Sequence, residues 1–352
     1  MSATVKDVAA LAGVSPITAS RALANSPLVT EPTRRKVLAA CRQCGYRPHA
    51  GARALRSRRF NMVGLLLSTA HAYVPQALLA GIADTLEARG IGLRVMRLGD
   101  EQLTDPEFAP RVLEERMVDG LLINYCVQIP DRLVRQIRGH RLPSVWINIK
   151  EESDCVYPDM AAGAQTAVRH LLDLGHRRIA YVDFVNDVSN PRGCHYSVGD
   201  AWAGCRQAVE RAGKDATLMH LDRQAVAHEG RQALSEAFLA RQDRPTALLA
   251  AASNPALTCL HAALALGLDV PGDLSIATFH DADVCNETGV TFATVALPER
   301  HVGETAVAML LEKIRQPGAP LPSIALPTTF TPGLTCAPPC REAEKNYRAQ
   351  SQ

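Results

Sequence analysis

The sequence predicts an all-α helix-turn-helix head followed by an α/β core made of two doubly wound parallel-sheet lobes. Three observations predict this fold class. Residues 1–46 contain three short segments with helical spacing of apolar residues, separated by turn residues. From residue 61 onward, short apolar strands, among them residues 144–147 and 178–182, alternate with helices, which is typical of parallel sheets covered on both faces. With 352 residues, 47% of them hydrophobic, the chain is long enough for a head and such a core.

The first predicted helix of the head has apolar residues at helical spacing, namely Val5, Val8, Ala9 and Leu11. Gly13 ends this helix, because a tight turn at that point needs a positive φ angle. Ser15 can cap a second helix through its hydroxyl group, and Pro16 takes the first helical position, where a missing N–H costs nothing. Two helices joined by such a tight turn form a helix-turn-helix pattern.

The second helix has the pattern of a recognition helix, which offers its N-terminal residues to base edges. We expect residues 16–19 to be exposed and Ala22 and Leu23 to turn inward. A third helix should begin after Thr30, which can cap it, and should end at Gly45. The head is therefore predicted to be three short helices.

The charge of the head differs from that of the rest of the chain. Residues 1–60 contain eleven Lys or Arg residues and two acidic residues, Asp7 and Glu31, which is a net charge of +9. Because the whole chain carries +2, the remainder carries −7. A basic head on an acidic body is typical of nucleic-acid binding. The alternative, a small helical bundle with a basic solvated face, is weaker because motif and charge coincide.

Several segments of the chain resemble one protein family. In the head they are Lys6-Asp7-Val8-Ala9, Ala12-Gly13-Val14-Ser15, Thr18-Ala19-Ser20-Arg21-Ala22-Leu23, Val29-Thr30 and Gly45-Tyr46-Arg47-Pro48. They look like the head of the LacI/GalR (lactose repressor) family of bacterial transcription regulators. The resemblance continues almost to residue 339, through residues 118–120, 174–180 and 270–275. It implies a periplasmic-binding-protein-like core and a repressor that binds a palindromic operator as a homodimer.

We expect four regions: a DNA-binding head at 1–47, a hinge helix or linker at 48–60, a two-lobed effector-binding and dimerisation core at 61–335 and a short tail at 336–352. The linker is too short for a stable isolated helix. The resemblance implies a hinge helix in the minor groove, with Leu55 wedged between base steps and Ala52 allowing close approach. A flexible tether in the absence of DNA is the alternative.

Two further expectations concern assembly. The tail has no leucine heptad, so we expect no tetramerising coiled coil. A twofold palindrome needs two heads, so we expect a dimer, with an interface that involves the apolar helix at residues 76–89.

The chain should cross between the two lobes near residues 159, 292 and 325.

The candidate DNA-binding residues lie at the helix starts of the head and, by resemblance, in the hinge. They are Thr4, Val5, Lys6, Ser15, Pro16, Ile17, Thr18, Ser20, Arg21, Asn25, Thr30, His49, Ala52, Arg53 and Leu55. Ser20 and Arg21 are expected near phosphates. The resemblance implies that Lys6, Pro16 and Ile17 read bases. The expected partner is double-stranded operator DNA.

Doubly wound lobes bind ligands outside the carboxyl ends of their strands. The candidates for such a site are His71, Tyr73, Asn124, Tyr125, Asn148, Asp159, Arg192, His195, Trp202, Ser253, Asn254 and His280. Together they predict a polar, partly aromatic pocket for a small effector, which the resemblance suggests is a sugar or sugar derivative. For each residue alone, a role in a loop or helix cap is the alternative.

At five positions the sequence departs from the sugar-binding members that it resembles. Ala201 stands where an Arg is common, Ser253 and Asn254 replace an Asn-Asp pair, His280 replaces an Asp and Pro332 replaces an Arg. The missing groups clasp sugar hydroxyls in those members. The resemblance alone therefore does not name the effector.

Several functional classes are not expected. The sequence has no Gly-rich phosphate loop, nucleophile elbow or metal triad, so we expect no enzyme, no catalytic residues and no cofactor. Cys41-x-x-Cys44 lacks a second ligand pair, so we expect reduced thiols and no metal site. Without a signal peptide or an apolar run of about 18 residues, we expect a cytoplasmic protein without a membrane partner. A solute-binding receptor without a DNA role is the alternative, against which the basic head argues.

Overall fold

The computed structural model describes residues 3–24, 26–46, 59–68, 74–98, 117–124, 131–184, 195–222, 230–279 and 289–340. The chain divides into two compact units. The first contains residues up to Met62 together with Met117–Asp119, and the second contains the remainder. In the described ranges, no helix combines the length and hydropathy that a membrane span requires.

The head in the first unit consists of helices α1 (Val5–Ala12), α2 (Pro16–Leu23) and α3 (Glu31–Cys44). Small side chains form its core, namely Val8, Ala9, Ala19, Ala22, Val29, Val37, Ala40 and Cys41. The turn between the first two helices is as predicted, because Gly13 has φ +64° and Ser15 Oγ accepts a hydrogen bond from the Thr18 N–H at 3.1 Å. Gly45 ends α3 in the left-handed conformation, also as predicted.

Three details of the head differ from prediction. Ala19 is fully buried, because it lies on the same face of α2 as Ala22 and Leu23. Leu11 is 47% exposed, because the buried stripe of α1 continues through Ala12 and leaves Leu11 at its edge. Thr30 takes the N-cap position of α3, but its hydroxyl bonds Thr33 Oγ1 at 3.0 Å and caps no backbone N–H.

The described strands of the core are β1 (Met62–Ser68), β2 (Gly92–Leu98), β3 (Gly120–Asn124), β4 (Ser144–Ile147), β5 (Cys155–Pro158), β6 (Arg178–Val182), β7 (Thr217–Leu221), β8 (Ala247–Ala250), β9 (Ser275–Phe279), β10 (Ala293–Ala296), β11 (Ser323–Leu326) and β12 (Thr329–Thr331). The described helices are α4 (Gln76–Glu87), α5 (Asp131–Gly139), α6 (Met160–Asp173), α7 (Tyr196–Ala212), α8 (Arg231–Leu239), α9 (Ser253–Ala265) and α10 (Glu299–Arg315).

These elements form two lobes, each built on a six-stranded sheet. The first sheet has the order β2-β1-β3-β4-β5-β11, with parallel pairing from β1 to β11. The second has the order β7-β6-β8-β9-β10-β12 and is parallel except for the antiparallel pair β10–β12. Helices pack on the apolar faces of both sheets. The predicted fold class is therefore confirmed.

The chain passes between the lobes three times. The first crossing is at Asp159, after β5, as predicted. The second follows β10, at residues 297–298, and the third follows β11, at 327–328. The predicted crossings at 292 and 325 were early, because the short strands β10 and β11 had not been recognised.

Helix α10 covers α4 within the first lobe. A Cβ atom at Gly303 would lie 2.6 Å from the Leu78 carbonyl oxygen, and one at Gly81 would overlap the Arg300 carbonyl. The buried residues of α4, including Ile82 and Leu86, belong to the same core as α10. The apolar face of the helix predicted for the dimer interface is therefore occupied inside the chain.

His176, within one of the segments that carry the family resemblance, joins the second sheet to the chain after β12. Its ring nitrogens lie 2.9 Å from Thr246 Oγ1, 3.1 Å from Ser275 Oγ and 2.9 Å from the Ala337 carbonyl oxygen. Thr246 and Ser275 stand at the starts of β8 and β9. Burial lowers the pKa of the imidazole to about 4, so His176 is neutral at pH 7.

Candidate functional site

The first turn of α2 presents aliphatic side chains to the surface of the head. Pro16 and Ile17 are exposed, and 65% of Ile17 is accessible. Ser15 Oγ caps the helix and also shares a hydrogen bond with Thr18 Oγ1 at 2.9 Å. The hydroxyl groups of this turn are therefore bonded to the turn itself, and Pro16 and Ile17 form its outer surface.

The acidic groups of the head are paired within the head. The Asp7 carboxylate accepts hydrogen bonds from the N–H and hydroxyl of Thr4, at 2.7 and 2.8 Å, and these bonds lower the pKa of Asp7. Glu31 lies 3.6 Å from Arg35 and 3.9 Å from Arg34. The remaining cations on the surface, including Lys6, give the head a positive potential that suits a polyanion.

Arg34 has a structural position. Its guanidinium donates to the carbonyl oxygens of Ser26 at 3.0 Å and Val29 at 3.4 Å, and so fixes the loop between α2 and α3. Only about a fifth of its side chain is exposed, at 20%. Arg21, by contrast, is exposed at the end of α2, where a phosphate could approach it.

The predicted DNA-binding residues of the head lie on or near its surface. The exposed ones are Thr4, Lys6, Ser15, Pro16, Ile17, Arg21 and Thr30. The half-buried ones are Val5, Thr18 and Ser20. Outside the described residues lie Asn25, His49, Ala52, Arg53 and Leu55.

In the first lobe, two predicted asparagines meet at the carboxyl ends of neighbouring strands. Asn124 ends β3 and is 1% exposed, and Asn148 follows β4 with φ +55°. The Asn148 side-chain amide donates to Asn124 Oδ1 at 3.4 Å. This pair offers amide groups at the edge of the sheet, where ligands of doubly wound folds bind.

In the second lobe, three polar side chains follow the ends of adjacent strands. Asp183 follows β6 and is fully buried, Asp222 follows β7, and Ser253 lies at the start of α9, just after β8. Among the described residues, neither Asp222 Oδ1 nor Ser253 Oγ has a hydrogen-bond partner, although both atoms are buried. Neighbouring strands lie about 4.8 Å apart, so the ends of β7 and β8, on either side of β6, are about 10 Å apart.

Aromatic rings stack beside this polar edge. Trp202 from α7 lies 4.5 Å from the ring of His220 at an interplanar angle of 19°, and Tyr181 lies 5.7 Å from the same ring. Burial lowers the pKa of His220, and the nearby Asp222 carboxylate partly offsets this. No described group bonds the buried His220 Nε2. The buried ring of Tyr181 and the half-buried rings of His220 and Trp202 thus stack near the Asp222 carboxylate.

Side chains from both lobes meet at the start of α7. His195 Nε2 lies 2.6 Å from the Asn148 carbonyl oxygen, and His195 Nδ1 lies 2.7 Å from Ser197 Oγ. Lys150 forms an ion pair with Asp200 at 2.7 Å, which raises the pKa of Lys150. His195 Nε2 thus joins the two lobes, whereas Nδ1 bonds a hydroxyl of its own segment, and the role of His195 as an effector ligand stays a prediction.

The remaining predicted cleft residues have varied positions. Asp159 caps α6, because its Oδ1 accepts from the Ala162 N–H at 3.0 Å. Asn254 is exposed. Ala201 is fully buried in the second-lobe core, so no side chain reaches the cleft from that position. Outside the described residues lie His71, Tyr73, Tyr125, Arg192 and His280.

Asp183, His220 and Asp222 were not predicted from the sequence as site residues. Asp222 follows a strand, β7, that had not been predicted, and His220 lies within it. Asp183 follows the predicted strand β6. The rule that ligands bind outside the carboxyl ends of strands could therefore have identified it.

Two family models match the chain. Residues 4–49 match the bacterial regulatory proteins of the lacI family, and residues 168–336 match the periplasmic binding protein-like domain. The HTH-type transcriptional repressor PurR of Erwinia tasmaniensis is 29% identical over 320 residues, which cover 89% of this chain and 90% of that protein. The PurR of Vibrio vulnificus is 28% identical over 326 residues, with 89% and 92% covered.

The chain therefore joins a lacI-family helix-turn-helix head to a periplasmic-binding-protein-like domain, as the sequence predicted. This combination is that of DNA-binding transcription regulators such as the PurR repressors, and not of enzymes.

Solved structures of similar fold support the architecture of the chain. The Lac repressor dimer bound to operator and the anti-inducer ONPF has a TM-score of 0.78 at 23% identity, covering 96% of this chain and 100% of that one. The transcriptional regulator CelR in complex with cellobiose has a TM-score of 0.64 at 23% identity, covering 95% and 99%. At this level of identity the likeness concerns the fold alone.

Proposed function

We propose that this LacI-family regulator is a cytoplasmic repressor that binds a short palindromic operator as a homodimer. A small polar effector in the cleft between the lobes would control its affinity for DNA. The observation that carries the DNA half of the proposal is the first turn of α2, exposed on a basic head whose acidic groups are already paired. The relatives named as repressors support the sign of regulation.

The effector half rests on the polar edge of the second lobe. Asp222, Ser253 and His220 hold buried polar atoms that no described residue satisfies, and the His220 ring stacks on Trp202. A ligand with several hydroxyl groups could donate to the carboxylate and lay an apolar face on the rings. We therefore favour a sugar or sugar derivative, in keeping with the cellobiose bound by CelR.

We further propose that the hinge at residues 48–60, of which 48–58 lie outside the described residues, links effector binding to DNA binding. An effector can change DNA affinity only if it binds two arrangements of the protein unequally. A short hinge helix stabilised by pairing with its twin on DNA would respond to the separation of the two cores. Leu55 is the residue that we expect to enter the minor groove.

The DNA half is tested by salt titration of the full-length protein on random and selected duplexes. Affinity should fall steeply with salt concentration, because cationic side chains release counterions from phosphates. Arg21→Ala should weaken binding to every sequence alike and lower the salt slope by about one. Arg241, on the second lobe and paired with Asp243, provides the matched control Arg241→Ala. Binding that ignores salt, or equal effects of both variants, would refute the proposal.

A further inference from the structure

We propose that α2 reads one base of each half-site through the 5-methyl group of a thymine, with Ile17 as the contacting side chain. This inference rests on the proposed DNA-binding function and adds the chemistry of base selection. Two features support it: the chemical nature of the exposed side chains in the first turn of α2, and the charged side chains on the same head.

Ile17 differs from the other aliphatic residues of α2. Ala19 and Ala22 are buried in the head's core, and Leu23 packs against that core, whereas Ile17 is 65% exposed. A single exposed apolar side chain is ordinary on a protein surface. Its position is informative, however, because the N-terminal residues of a recognition helix are those that reach base edges.

The hydroxyl groups of the same turn take part in the helix cap. Ser15 Oγ accepts a hydrogen bond from the Thr18 N–H and shares a second one with Thr18 Oγ1, which uses one of the two hydroxyl protons. Pro16 has a purely aliphatic side chain and no N–H. The exposed side chains of Pro16 and Ile17 therefore offer only carbon atoms to a base edge.

Thymine is the base that carbon atoms can select in the major groove. Guanine, adenine and cytosine are read there by hydrogen bonds to N7, O6, N6 or N4, whereas thymine carries a methyl group. Contact between Ile17 and that methyl would remove two apolar surfaces from water together. No hydrogen bond is needed for the discrimination.

The charge around Ile17 points to DNA as the occupant of this surface. Lys6 on α1 and Arg21 on α2 are exposed, whereas the Asp7 carboxylate accepts hydrogen bonds from Thr4. An apolar patch within a positive field suits a groove lined by phosphates. A contact with another protein surface is the competing explanation, and the experiment distinguishes the two.

The test uses the full-length protein and duplexes selected from a pool with randomised base pairs. Each thymine of the selected half-site is replaced in turn by deoxyuridine, which lacks only the methyl group. We expect one position per half-site at which this change weakens binding about fourfold, the value of one buried methyl group. Ile17→Ala should bind both duplexes equally, whereas Leu38→Ala, which shortens an exposed side chain on α3, should keep the fourfold difference.

Three results would overturn the inference. The deoxyuridine effect could be missing at every position, or it could persist in Ile17→Ala. Alternatively, Ile17→Ala could unfold at a markedly lower temperature than Leu38→Ala, which would mean that Ile17 packs against protein. If the folded protein selects no sequence at all, the proposed DNA-binding function itself fails, and this outcome is distinct from the other three.

Discussion

The head and the second lobe carry their functional groups in opposite ways. The head pairs its acids and exposes Ile17 together with several cations. The second lobe buries polar atoms of Asp222 and Ser253 that no described group satisfies. A surface for a polyanion needs exposed charge, whereas a small-molecule site needs polar groups withheld from water. DNA binding thus depends on what the head exposes, and ligand binding on what the lobe leaves unpaired.

These two arrangements differ in what they cost in free energy of unfolding. Exposed cations and one exposed isoleucine cost the head little. Each buried polar group without a partner costs about 1–3 kcal/mol, which a ligand can restore by bonding to it. We therefore expect the second lobe to be stabilised by its effector and the head to be unaffected until DNA is present.

The largest loss of DNA binding should follow a polar substitution in the core of the head. Val37 is fully buried in α3, and Val37→Asn would bury an amide among small apolar side chains. The cost, about 3 kcal/mol, approaches the stability available to so small a unit. Binding to all DNA, measured by fluorescence anisotropy, should disappear while the thermal transition of the core persists.

The neighbouring residue supplies the control for this experiment. Leu38 is 41% exposed, so Leu38→Asn places the same amide in water. It should leave DNA binding within about threefold of the wild type, as surface substitutions usually cost less than 0.5 kcal/mol. If Val37→Asn and Leu38→Asn lost DNA affinity equally, burial of the amide would not be the cause of the loss.

Acid should destabilise the second lobe through His176, whereas residues 1–46 contain no histidine. The pKa of His176 is about 4 in the folded protein, below its ordinary value of 6.5, so its stabilisation is complete above pH 6.5 and is lost as pH falls toward 4. At pH 5 the loss should be about 2 kcal/mol. Urea titrations followed by tryptophan fluorescence at pH 7.5 and pH 5 measure it.

Two variants isolate this contribution. His176→Gln does not titrate, so the difference in its unfolding free energy between the two pH values should be about 2 kcal/mol smaller than in the wild type. His261→Gln, at an exposed position of α9, should keep the wild-type difference. If both variants responded to pH like the wild type, His176 would not be the group responsible.

Removing the charge of Asp222 should separate stability from ligand binding. Without ligand, Asp222→Asn should raise the melting temperature or leave it unchanged, because a buried carboxylate is costly to desolvate. With a ligand found by thermal-shift screening of sugars, sugar acids, sugar phosphates and nucleosides, affinity should fall tenfold to a hundredfold, about 1–3 kcal/mol. Asp215→Asn, exposed at the other end of β7, is the control. Unchanged affinity in Asp222→Asn would remove this residue from the site.

The smallest loss of ligand affinity should follow removal of the ion pair between the lobes. Lys150 and Asp200 are 47% and 27% exposed, so breaking the pair should cost at most about 1 kcal/mol. Lys150→Met should weaken ligand binding less than fivefold by calorimetry, through a less stable closed arrangement of the lobes. Raising the salt concentration should reduce wild-type affinity toward that of the variant. A hundredfold loss would mean that Lys150 contacts the ligand directly.

The sequence predicted best what depends on neighbouring residues. Gly13, Ser15 and Gly45 act within a few residues of their own positions, and the head's helices followed from them. Continuous apolar runs also placed β4 and β6 with the bounds that the structure has. Local capping and periodicity were sufficient for these elements.

The polar edge was harder to predict because it is assembled from distant segments. The strand β7 has the sequence Thr-Leu-Met-His-Leu, and only Leu221 in it is buried. No continuous apolar run identified this strand, so His220 and Asp222 were missed with it. A strand-end position also does not reveal whether a side chain is already engaged. His195 was predicted as a ligand on that basis; its Nε2 bonds the Asn148 carbonyl oxygen, which the sequence did not reveal, and its contact with a ligand stays a prediction.

The most direct test measures operator affinity of the full-length wild-type protein at one salt concentration, with and without a ligand that stabilises the core. We predict binding to the selected operator at least about a thousandfold tighter than to a scrambled duplex. We also predict that the ligand changes operator affinity at least about fivefold, and that Asp222→Asn abolishes this change at the same ligand concentration. Sequence-independent binding, or operator affinity that no core-stabilising ligand alters, would contradict the account.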